Sequence, residues 1–366
     1  MSQGKKQIAS RKIPGMMRAA QLVGERDYRI VDVETPVPND DQVLVGITYV
    51  GICGSDSSFW KLSHTLNELH PLPAPPGSHG HEAVGRVAQA GRRVRGVRVG
   101  DQVVRINLVA DRDWDMRCFA EYALADRPVV VNRGDPRAVC FADPLAVAMI
   151  HAQALFHPSL ITMPVLREAA DLQRIAVPEP YRHGKPRPVL IRGLGFIGVL
   201  AAWLLRRQGL RPIGLEIEGQ KIKAARALGI DCRDGRDPNA VRAIVLQYGP
   251  MAGALECCGA SDVDSLVEAL DDQAVCVLMG TSRQRLDFIY QPLRAKGIAL
   301  VCPSNAALQA VLGFNYWEAA ARLLEDGTIA PQPMIDAEYP LANLQQAMED
   351  LELHPEWRRA LIRVAD

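Results

Sequence analysis

The stretch that decides the fold runs from Pro188 to Glu216 and reads PVLIRGLGFIGVLAAWLLRRQGLRPIGLE. It predicts a short buried strand, a glycine turn, an apolar helix and a second strand that ends at Glu216. The turn holds Gly193, Gly195 and Gly198 in G-x-G-x-x-G spacing. Between a strand and a helix, this spacing predicts a doubly wound parallel sheet, the Rossmann fold, with a dinucleotide at the turn.

Each glycine of this turn has its own role in holding a pyrophosphate. Gly193 permits the tight turn, Gly195 lets the backbone approach the phosphates, and Gly198 lets the helix pack against the strand. Glu216 lies where a carboxylate binds the adenosine ribose hydroxyls and repels a 2′-phosphate, which favours NAD over NADP. Three nearby cationic side chains would instead attract a 2′-phosphate and so favour NADP: Arg192, Lys221 and Lys223. The expected cofactor-binding residues are Gly193, Gly195, Phe196, Ile197, Gly198 and Glu216.

Length and composition limit the class of protein. The chain has 366 residues, 48% of them hydrophobic, which suggests about two domains. Its 42 basic and 42 acidic residues balance, so charge gives no reason to expect nucleic acid or an anionic membrane as partner. No apolar run is long enough to span a bilayer. Eight scattered cysteines suit a reducing cytoplasm, and we expect a small-molecule partner.

The domain order follows from where short strands give way to helices. Many short strands precede Asp143, which predicts an irregular, barrel-like β domain and an α/β fold overall. Helical spacing begins at Asp143, and a proline-rich stretch then leads to the glycine turn. We expect four segments: a flexible arm at 1–16, a catalytic domain at 17–155 and 312–366, a linker or insertion at 156–187, and a dinucleotide-binding domain at 188–311.

Three residues of the first domain suit a metal. Cys53 follows a predicted strand, and His81 and Glu82 begin another. A thiolate, an imidazole and a carboxylate are ligands that Zn²⁺ accepts, and a catalytic zinc keeps a further position open for substrate. Asp143 is a candidate fourth group, either on the metal or on its water. By spacing alone, Cys53 could equally be a buried apolar thiol.

Five short strings follow one another along the chain: GICGSD at 51–56, GHE at 80–82, CFAEY at 118–122, ADPLAV at 142–147 and GLGFIG at 193–198. They occur in the order found in zinc-containing medium-chain alcohol dehydrogenases. From about Met17 onward the chain resembles their polyol and sugar branch, which includes sorbitol, threonine and glucose dehydrogenases.

This resemblance implies roles for single residues. Cys53 and His81 would ligate zinc, with Glu82 as a ligand or near-ligand. Asp143 stands where the branch usually has a glutamate, and Ser55 matches the hydroxyl that takes the substrate proton. Without a four-cysteine cluster before Cys118, we expect one catalytic zinc and no structural zinc. The resemblance also implies a homodimer or homotetramer.

The expected reaction is oxidation of a secondary alcohol of a polyol, sugar or cyclitol with NAD, or the reverse reduction. The extra His79 is either a loop residue or a competing ligand. The loop from Phe59 to Pro76 suggests a polyhydroxylated substrate through five side chains: Trp60, Lys61, His64, Asn67 and Glu68. Three alternatives stay open: a zinc-free reductase of the quinone-reductase type, a biosynthetic amino-sugar or cyclitol dehydrogenase, and a non-catalytic cofactor-binding protein.

Overall fold

The structure is a computed structural model that describes residues 13–63, 72–104, 117–155, 186–260, 262–280, 285–303 and 315–365. The chain divides into two compact units. The first unit comprises 1–142, 324–352 and 359–366, and the second comprises 143–323 and 353–358. The chain therefore leaves the first unit after residue 142 and returns to it after residue 323. The sequence predicted that the catalytic domain ends at 155 and resumes at 312.

Fifteen strands are found in the described residues. They are β1 (Met16–Gly24), β2 (Asp27–Glu34), β3 (Val43–Gly51), β4 (Glu82–Ala90), β5 (Gln102–Val104), β6 (Tyr122–Ala125), β7 (Val129–Val130), β8 (Pro188–Arg192), β9 (Arg211–Glu216), β10 (Asp231–Asp234), β11 (Met251–Glu256), β12 (Leu270–Leu278), β13 (Ala299–Val301), β14 (Ala337–Pro340) and β15 (Ala360–Arg363).

Ten α-helices are found in the same part of the chain. They are α1 (Gly54–Trp60), α2 (Pro136–Val139), α3 (Ala142–Ala154), α4 (Phe196–Arg207), α5 (Gly219–Ala227), α6 (Ala240–Tyr248), α7 (Asp264–Ala269), α8 (Tyr290–Lys296), α9 (Tyr316–Glu325) and α10 (Leu344–Leu353). None of these helices combines the length and the apolar character that crossing a membrane requires.

The first unit is built on a seven-stranded sheet in the order β14-β15-β3-β4-β5-β7, with β6 also paired to β3. All pairs are antiparallel except β14 with β15. Strand β3 lies inside the sheet and is buried on both faces, since the consecutive side chains Val43, Leu44 and Val45 are 0%, 1% and 0% exposed. This explains why its sequence is almost continuously apolar rather than alternating. Strands β1 and β2 form a separate antiparallel pair.

The second unit is built on a six-stranded parallel sheet in the order β10-β9-β8-β11-β12-β13. Counted from β8, this is the order 3-2-1-4-5-6 of a dinucleotide-binding sheet. The strand order reverses between β8 and β11, so the glycine turn after β8 lies at the switch point where ligands bind. The predicted α/β fold class is confirmed.

Cys53 is the N-cap of helix α1. One local prediction from the sequence was wrong. Trp60, expected to face substrate, is only 2% exposed and its indole N–H donates to Gln345 at 3.3 Å. The apolar ring belongs to the core of the first unit, because the short helix turns it inward. Of the other expected loop residues, Lys61 pairs with Glu352 at 3.1 Å, and His64, Asn67 and Glu68 lie outside the described residues.

Candidate active site

The three predicted metal ligands of the first unit lie close to one another. One ligand atom each from Cys53, His81 and Glu82 lies within 4.8 Å of the other two. The sheet explains this meeting, because antiparallel pairing of β3 with β4 sets Gly51 opposite Glu82. The chain thus leaves β3 toward Cys53 at the same end at which it enters β4 after His81.

Glu82 is fully buried and forms an ion pair with Arg359. The distance between Glu82 Oε1 and Arg359 Nη1 is 3.1 Å, and Arg359 is itself 4% exposed. Only glycine fits opposite this carboxylate: a Cβ at Gly51 would lie 2.4 Å from Glu82 Oε2 and 2.6 Å from the Phe141 ring. Burial, and then the nearby Glu82 charge, raise the pKa of the Cys140 thiol well above its usual value. Sequence reasoning missed Arg359, which carries no local signal.

Asp56 ties the two ligand-bearing segments to each other through their backbones. Its Oδ2 accepts a hydrogen bond from the Cys53 N–H at 2.8 Å, and its Oδ1 accepts one from the Gly80 N–H at 3.1 Å. Oδ1 also lies 3.9 Å from Nδ1 of His81. Asp56 is 1% exposed and is the third residue of α1, so it forms the acidic half of a capping box with Cys53. The C-x-x-D spacing before an apolar pair was the available signal for this residue.

The donor set fits zinc. Zn²⁺ is borderline-soft and accepts cysteine sulfur, histidine nitrogen and carboxylate oxygen. The half-buried Cys53 and His81 leave one side of the group accessible, while Glu82 supplies a buried negative charge. A cation would share this charge with Arg359.

Two further predicted site residues lie in helices. Ser55 is half-buried near the start of α1. Asp143 lies in the first turn of α3 and belongs to the second unit. Its Oδ1 accepts a hydrogen bond from the indole N–H of Trp317 at 2.7 Å. The roles of Ser55 and Asp143 in catalysis or metal binding stay predictions.

The glycine turn of the second unit shows why each glycine is needed. Gly193 has a positive φ of 88°, which disfavours any side chain. A Cβ at Gly198 would lie 2.0 Å from the Gly193 carbonyl oxygen, so helix and turn touch there. Apart from its chain neighbours, no described atom lies within 4 Å of a Cβ built on Gly195, the N-cap of α4. The fold itself therefore does not require glycine at position 195, and the open space suits a phosphate.

Helix α4 presents its first backbone N–H groups at this open space. Phe196 and Ile197 are its first two residues, and the N–H groups of a first helical turn have no partner within the helix. The Phe196 side chain is buried, so only its backbone can serve a ligand. Such an N-terminus attracts an anion.

Glu216 lies at the end of β9, beside the turn. Its Oε2 accepts a hydrogen bond from the Leu194 N–H at 2.8 Å, and its Oε1 accepts from the N–H groups of Ile217 and Glu218 at 2.8 and 3.0 Å. A carboxylate oxygen has two lone pairs, so Oε2 can accept another hydrogen bond, such as one from a ribose hydroxyl. Burial, and then the Glu216 charge, raise the pKa of Cys232 to about 12.

Comparison with known proteins finds relatives of this chain. Residues 39–132 match the alcohol dehydrogenase GroES-like domain. The chain is 28% identical to a glucose 1-dehydrogenase of Methanocella arvoryzae over 299 residues, which is 74% of this chain and 77% of that protein. It is 25% identical to a sorbitol dehydrogenase of Bombyx mori over 347 residues, or 90% and 94% of the two proteins. These matches bear out the predicted resemblance to medium-chain alcohol dehydrogenases.

Solved structures agree with this assignment of the fold. The crystal structure of L-idonate 5-dehydrogenase from Escherichia coli has a TM-score of 0.73 and 19% identity to this dehydrogenase, with 95% of this chain and 98% of that chain covered. The predicted resemblance to the polyol and sugar branch is confirmed, and so is the enzyme class, an NAD(P)-dependent oxidoreductase that acts on CH–OH groups.

The cationic side chains near the glycine turn of this dehydrogenase differ in their contacts. Arg192 directs its guanidinium to the Asp262 carbonyl and the Ser265 hydroxyl, both around the start of α7. Lys223 is exposed. Arg358 donates to the backbone carbonyls of Leu194 at 3.2 Å and of Lys221 at 2.9 Å. No sequence pattern singled out Arg358.

The cysteine pair Cys257 and Cys258, which follows β11, packs against the glycine turn. A Cβ at Gly193 would lie 3.1 Å from the Cys258 Cβ, so the two loops are in contact. The buried Glu256 accepts hydrogen bonds from the N–H groups of Cys258 and Gly259, each at 3.0 Å. Burial, and then the hydrogen bond to Glu256, raise the pKa of Cys258 to about 12, so it is a neutral thiol at neutral pH.

Proposed function

We propose that this chain is a zinc-dependent, NAD-linked dehydrogenase that oxidises a secondary alcohol of a polyol, sugar or cyclitol, or catalyses the reverse reduction. The observation that carries the proposal is the group formed by Cys53, His81 and Glu82. These residues would hold the metal. When bound, zinc would polarise the alcohol oxygen and the nicotinamide would accept hydrogen from the carbinol carbon as hydride.

Within this proposal the protein's own residues bind the reactants and move a proton. The Ser55 hydroxyl accepts the substrate proton and passes its own proton on to the cofactor ribose or to water, since a hydroxyl both accepts and donates hydrogen bonds. The N–H groups of Phe196 and Ile197 bind the pyrophosphate, with Gly193, Gly195 and Gly198 shaping the space. Asp143 takes part at the metal, directly or through its water.

NAD is the proposed cofactor because of Glu216. Its carboxylate is fixed by backbone N–H groups beside the turn, where it would repel a 2′-phosphate. The contacts of Arg192 with Asp262 and Ser265 support this choice, because they engage the cationic side chain that directly precedes the turn in sequence. We expect NAD⁺ to bind more tightly than NADP⁺, with Glu216→Ala reducing the difference. Titration of intrinsic fluorescence with each cofactor measures it.

The substrate class rests on relatives. Among the similar proteins, two are named glucose 1-dehydrogenase and sorbitol dehydrogenase, and a similar fold is named L-idonate 5-dehydrogenase. All three names describe dehydrogenases of polyhydroxylated compounds. We propose a small polyhydroxylated alcohol or ketone as substrate and the cytoplasm as the location.

A homodimer or homotetramer is part of the proposal. In the described part of the parallel sheet, β13 is the last strand. The nearby side chains of Phe288, Ile289 and Tyr290 are 43%, 60% and 67% exposed. Three consecutive exposed apolar side chains support self-association. Light scattering measures the mass in solution.

The test of the metal proposal is zinc content, measured by elemental analysis on protein purified without chelator. We expect about one zinc per chain. Cys53→Ser should lose it, whereas Cys302→Ser, which changes an exposed cysteine outside the group, should keep it. Loaded protein would then be assayed for NAD reduction with polyols, sugars and cyclitols. An unmutated protein that holds no zinc would refute the proposal.

A further inference from the structure

His79 is a buried histidine just before the predicted metal ligand His81. It is 4% exposed. Its Nδ1 lies 2.8 Å from the Tyr28 hydroxyl, with which it forms a hydrogen bond. Its ring stacks on Phe59 with a centroid distance of 4.7 Å and an interplanar angle of 30°, and the Tyr28 ring meets it edge-on at 5.8 Å. The imidazole is thus held on two sides.

These contacts join the two segments that carry the metal ligands. Phe59 lies in α1, whose N-cap is Cys53. His79 lies at the other end of the site, on the segment that continues into His81 and Glu82. Its backbone carbonyl accepts hydrogen bonds from the N–H groups of Cys118 at 3.2 Å and Phe119 at 3.1 Å. Side chain and backbone together therefore fix the segment that precedes His81.

The partner Tyr28 is anchored in turn. Its backbone N–H donates to Gln345 Oε1 at 2.9 Å, and the indole N–H of Trp60 donates to the same oxygen at 3.3 Å. Burial, and then the Asp56 charge, raise the pKa of the Tyr28 phenol well above its usual value, so the phenol keeps the proton it shares with His79. Helix α1 and strand β2 thus contact the imidazole directly, and Gln345 of helix α10 holds both of these elements.

The geometry favours a supporting role for His79 over direct metal binding. The group of ligand atoms within 4.8 Å of one another contains Cys53, His81 and Glu82, and His79 is not among them. Asp56 already connects the backbones of Cys53 and Gly80. The stack of His79 on Phe59 makes a second connection between the same two segments, one turn further along α1.

We propose that His79 is a positioning residue that holds Cys53 and His81 at ligand distance and so raises the affinity of the site for Zn²⁺. This inference rests on the zinc site of the proposed function. Ligands that are fixed before the metal arrives lose less conformational freedom on binding, and residues that orient ligands typically change metal affinity about 10–100-fold.

The experiment measures the Zn²⁺ affinity of metal-free protein by competition with a chromophoric chelator. The variants are Tyr28→Phe, which removes only the hydroxyl, His79→Leu, and the double variant. We expect His79→Leu to weaken Zn²⁺ binding about 10–100-fold and Tyr28→Phe to weaken it by a smaller factor. The double variant should be no weaker than His79→Leu, because both changes remove the same hydrogen bond.

Two controls separate positioning from a general loss of stability. Tyr339→Phe removes a hydroxyl that donates to Asp350 at 2.5 Å elsewhere in the first unit, and it should leave Zn²⁺ affinity unchanged. Co²⁺-loaded protein reports ligand geometry in its visible bands, which should shift in His79→Leu and not in Tyr339→Phe. His79→Asn, whose amide can replace Nδ1, should restore part of the affinity.

The outcomes distinguish this inference from the proposed function. An unmutated protein that binds no Zn²⁺ would overturn both. Tight binding by the unmutated protein with equal affinity in Tyr28→Phe and His79→Leu would overturn the positioning role alone. Loss in His79→Leu together with tighter binding in Tyr28→Phe would identify His79 as a competing ligand and would also overturn it.

Discussion

The carboxylate of Glu82 and the guanidinium of Arg359 form a buried ion pair, with 3.1 Å between Oε1 and Nη1. Removing one partner of such a pair leaves an uncompensated charge in the core, which typically costs about 3–5 kcal/mol. We expect Arg359→Met to lower the free energy of unfolding of metal-free protein by this amount. Chemical denaturation measures the change.

The matched control is an exposed pair in the same unit. Arg29 Nη2 lies 2.8 Å from Asp27 Oδ2, and the two side chains are 67% and 40% exposed, so Arg29→Met should cost less than about 1 kcal/mol. Adding Glu82→Gln to Arg359→Met should recover part of the loss, because no buried charge then remains. If the two arginine substitutions lowered the free energy of unfolding by equal small amounts, the result would contradict a buried ion pair between Glu82 and Arg359.

The glycine turn allows folding and cofactor binding to be separated. A Cβ at Gly195 meets no described atom within 4 Å apart from its chain neighbours, and its φ of −65° suits alanine. We therefore expect Gly195→Ala to change the free energy of unfolding by less than about 1 kcal/mol while weakening NAD⁺ binding at least tenfold. Denaturation and fluorescence titration measure the two effects.

Gly198→Ala should behave in the opposite way. Its Cβ would lie 2.0 Å from the Gly193 carbonyl oxygen, so the turn or the helix must move. We expect an unfolding cost of about 1–3 kcal/mol from this overpacking, measured in the absence of cofactor. If Gly195→Ala were the more destabilising of the two, the result would contradict the inference that a side chain has room at Gly195.

Trp317 should stabilise the fold through Asp143. Its indole N–H donates to Asp143 Oδ1 at 2.7 Å, and Trp317 is 3% exposed. A hydrogen bond to a charged group contributes about 1.5–3 kcal/mol. We expect Trp317→Phe to lose at least this amount in chemical denaturation. Asp143→Asn keeps an oxygen acceptor and should lose less, so a larger loss in Asp143→Asn would speak against the bond.

His151 makes stability depend on pH. Burial lowers the pKa of this histidine below its ordinary value of 6.5, while its hydrogen bond to the Val147 carbonyl acts in the opposite direction. The unfolded chain then binds a proton at a higher pH than the folded chain. Its contribution to stability is complete above pH 6.5 and is lost as the pH falls through the folded pKa.

The measurement is the free energy of unfolding between about pH 7.5 and 5. The fall in stability toward acid should be smaller in His151→Asn, whose amide can still donate to Val147 but does not titrate. Identical pH profiles for the two proteins would show that His151 does not contribute.

The sequence predicted the parts of the structure that have local causes. Alternating or continuous apolar runs marked β3 and β8, and the spacing of Gly193, Gly195 and Gly198 marked the turn, because strand periodicity and phosphate access impose such patterns. The meeting of Cys53 with His81 was expected only with the help of a family resemblance. Register between β3 and β4 supplies the physical reason.

Other features depend on contacts that no local pattern shows. Strand β10 lies at the edge of the parallel sheet and has the sequence DCRD. Its polar residues do not indicate a strand, although Cys232 is buried. Trp60 lay beside polar residues, yet tertiary packing turned it into the core. Arg359 and Trp317 reach their carboxylates from distant parts of the chain, so only the folded structure identifies them.

The path of the chain between the two units affects how this protein can be altered. It changes unit after 142, 323, 352 and 358, and the six residues 353–358 belong to the second unit although both flanks belong to the first. Neither unit therefore corresponds to one uninterrupted stretch of coding sequence. A recombinant exchange of the nucleotide-binding unit with a relative needs four junctions. A stop codon after 352 removes part of each unit, including β15, which pairs with β14 and β3.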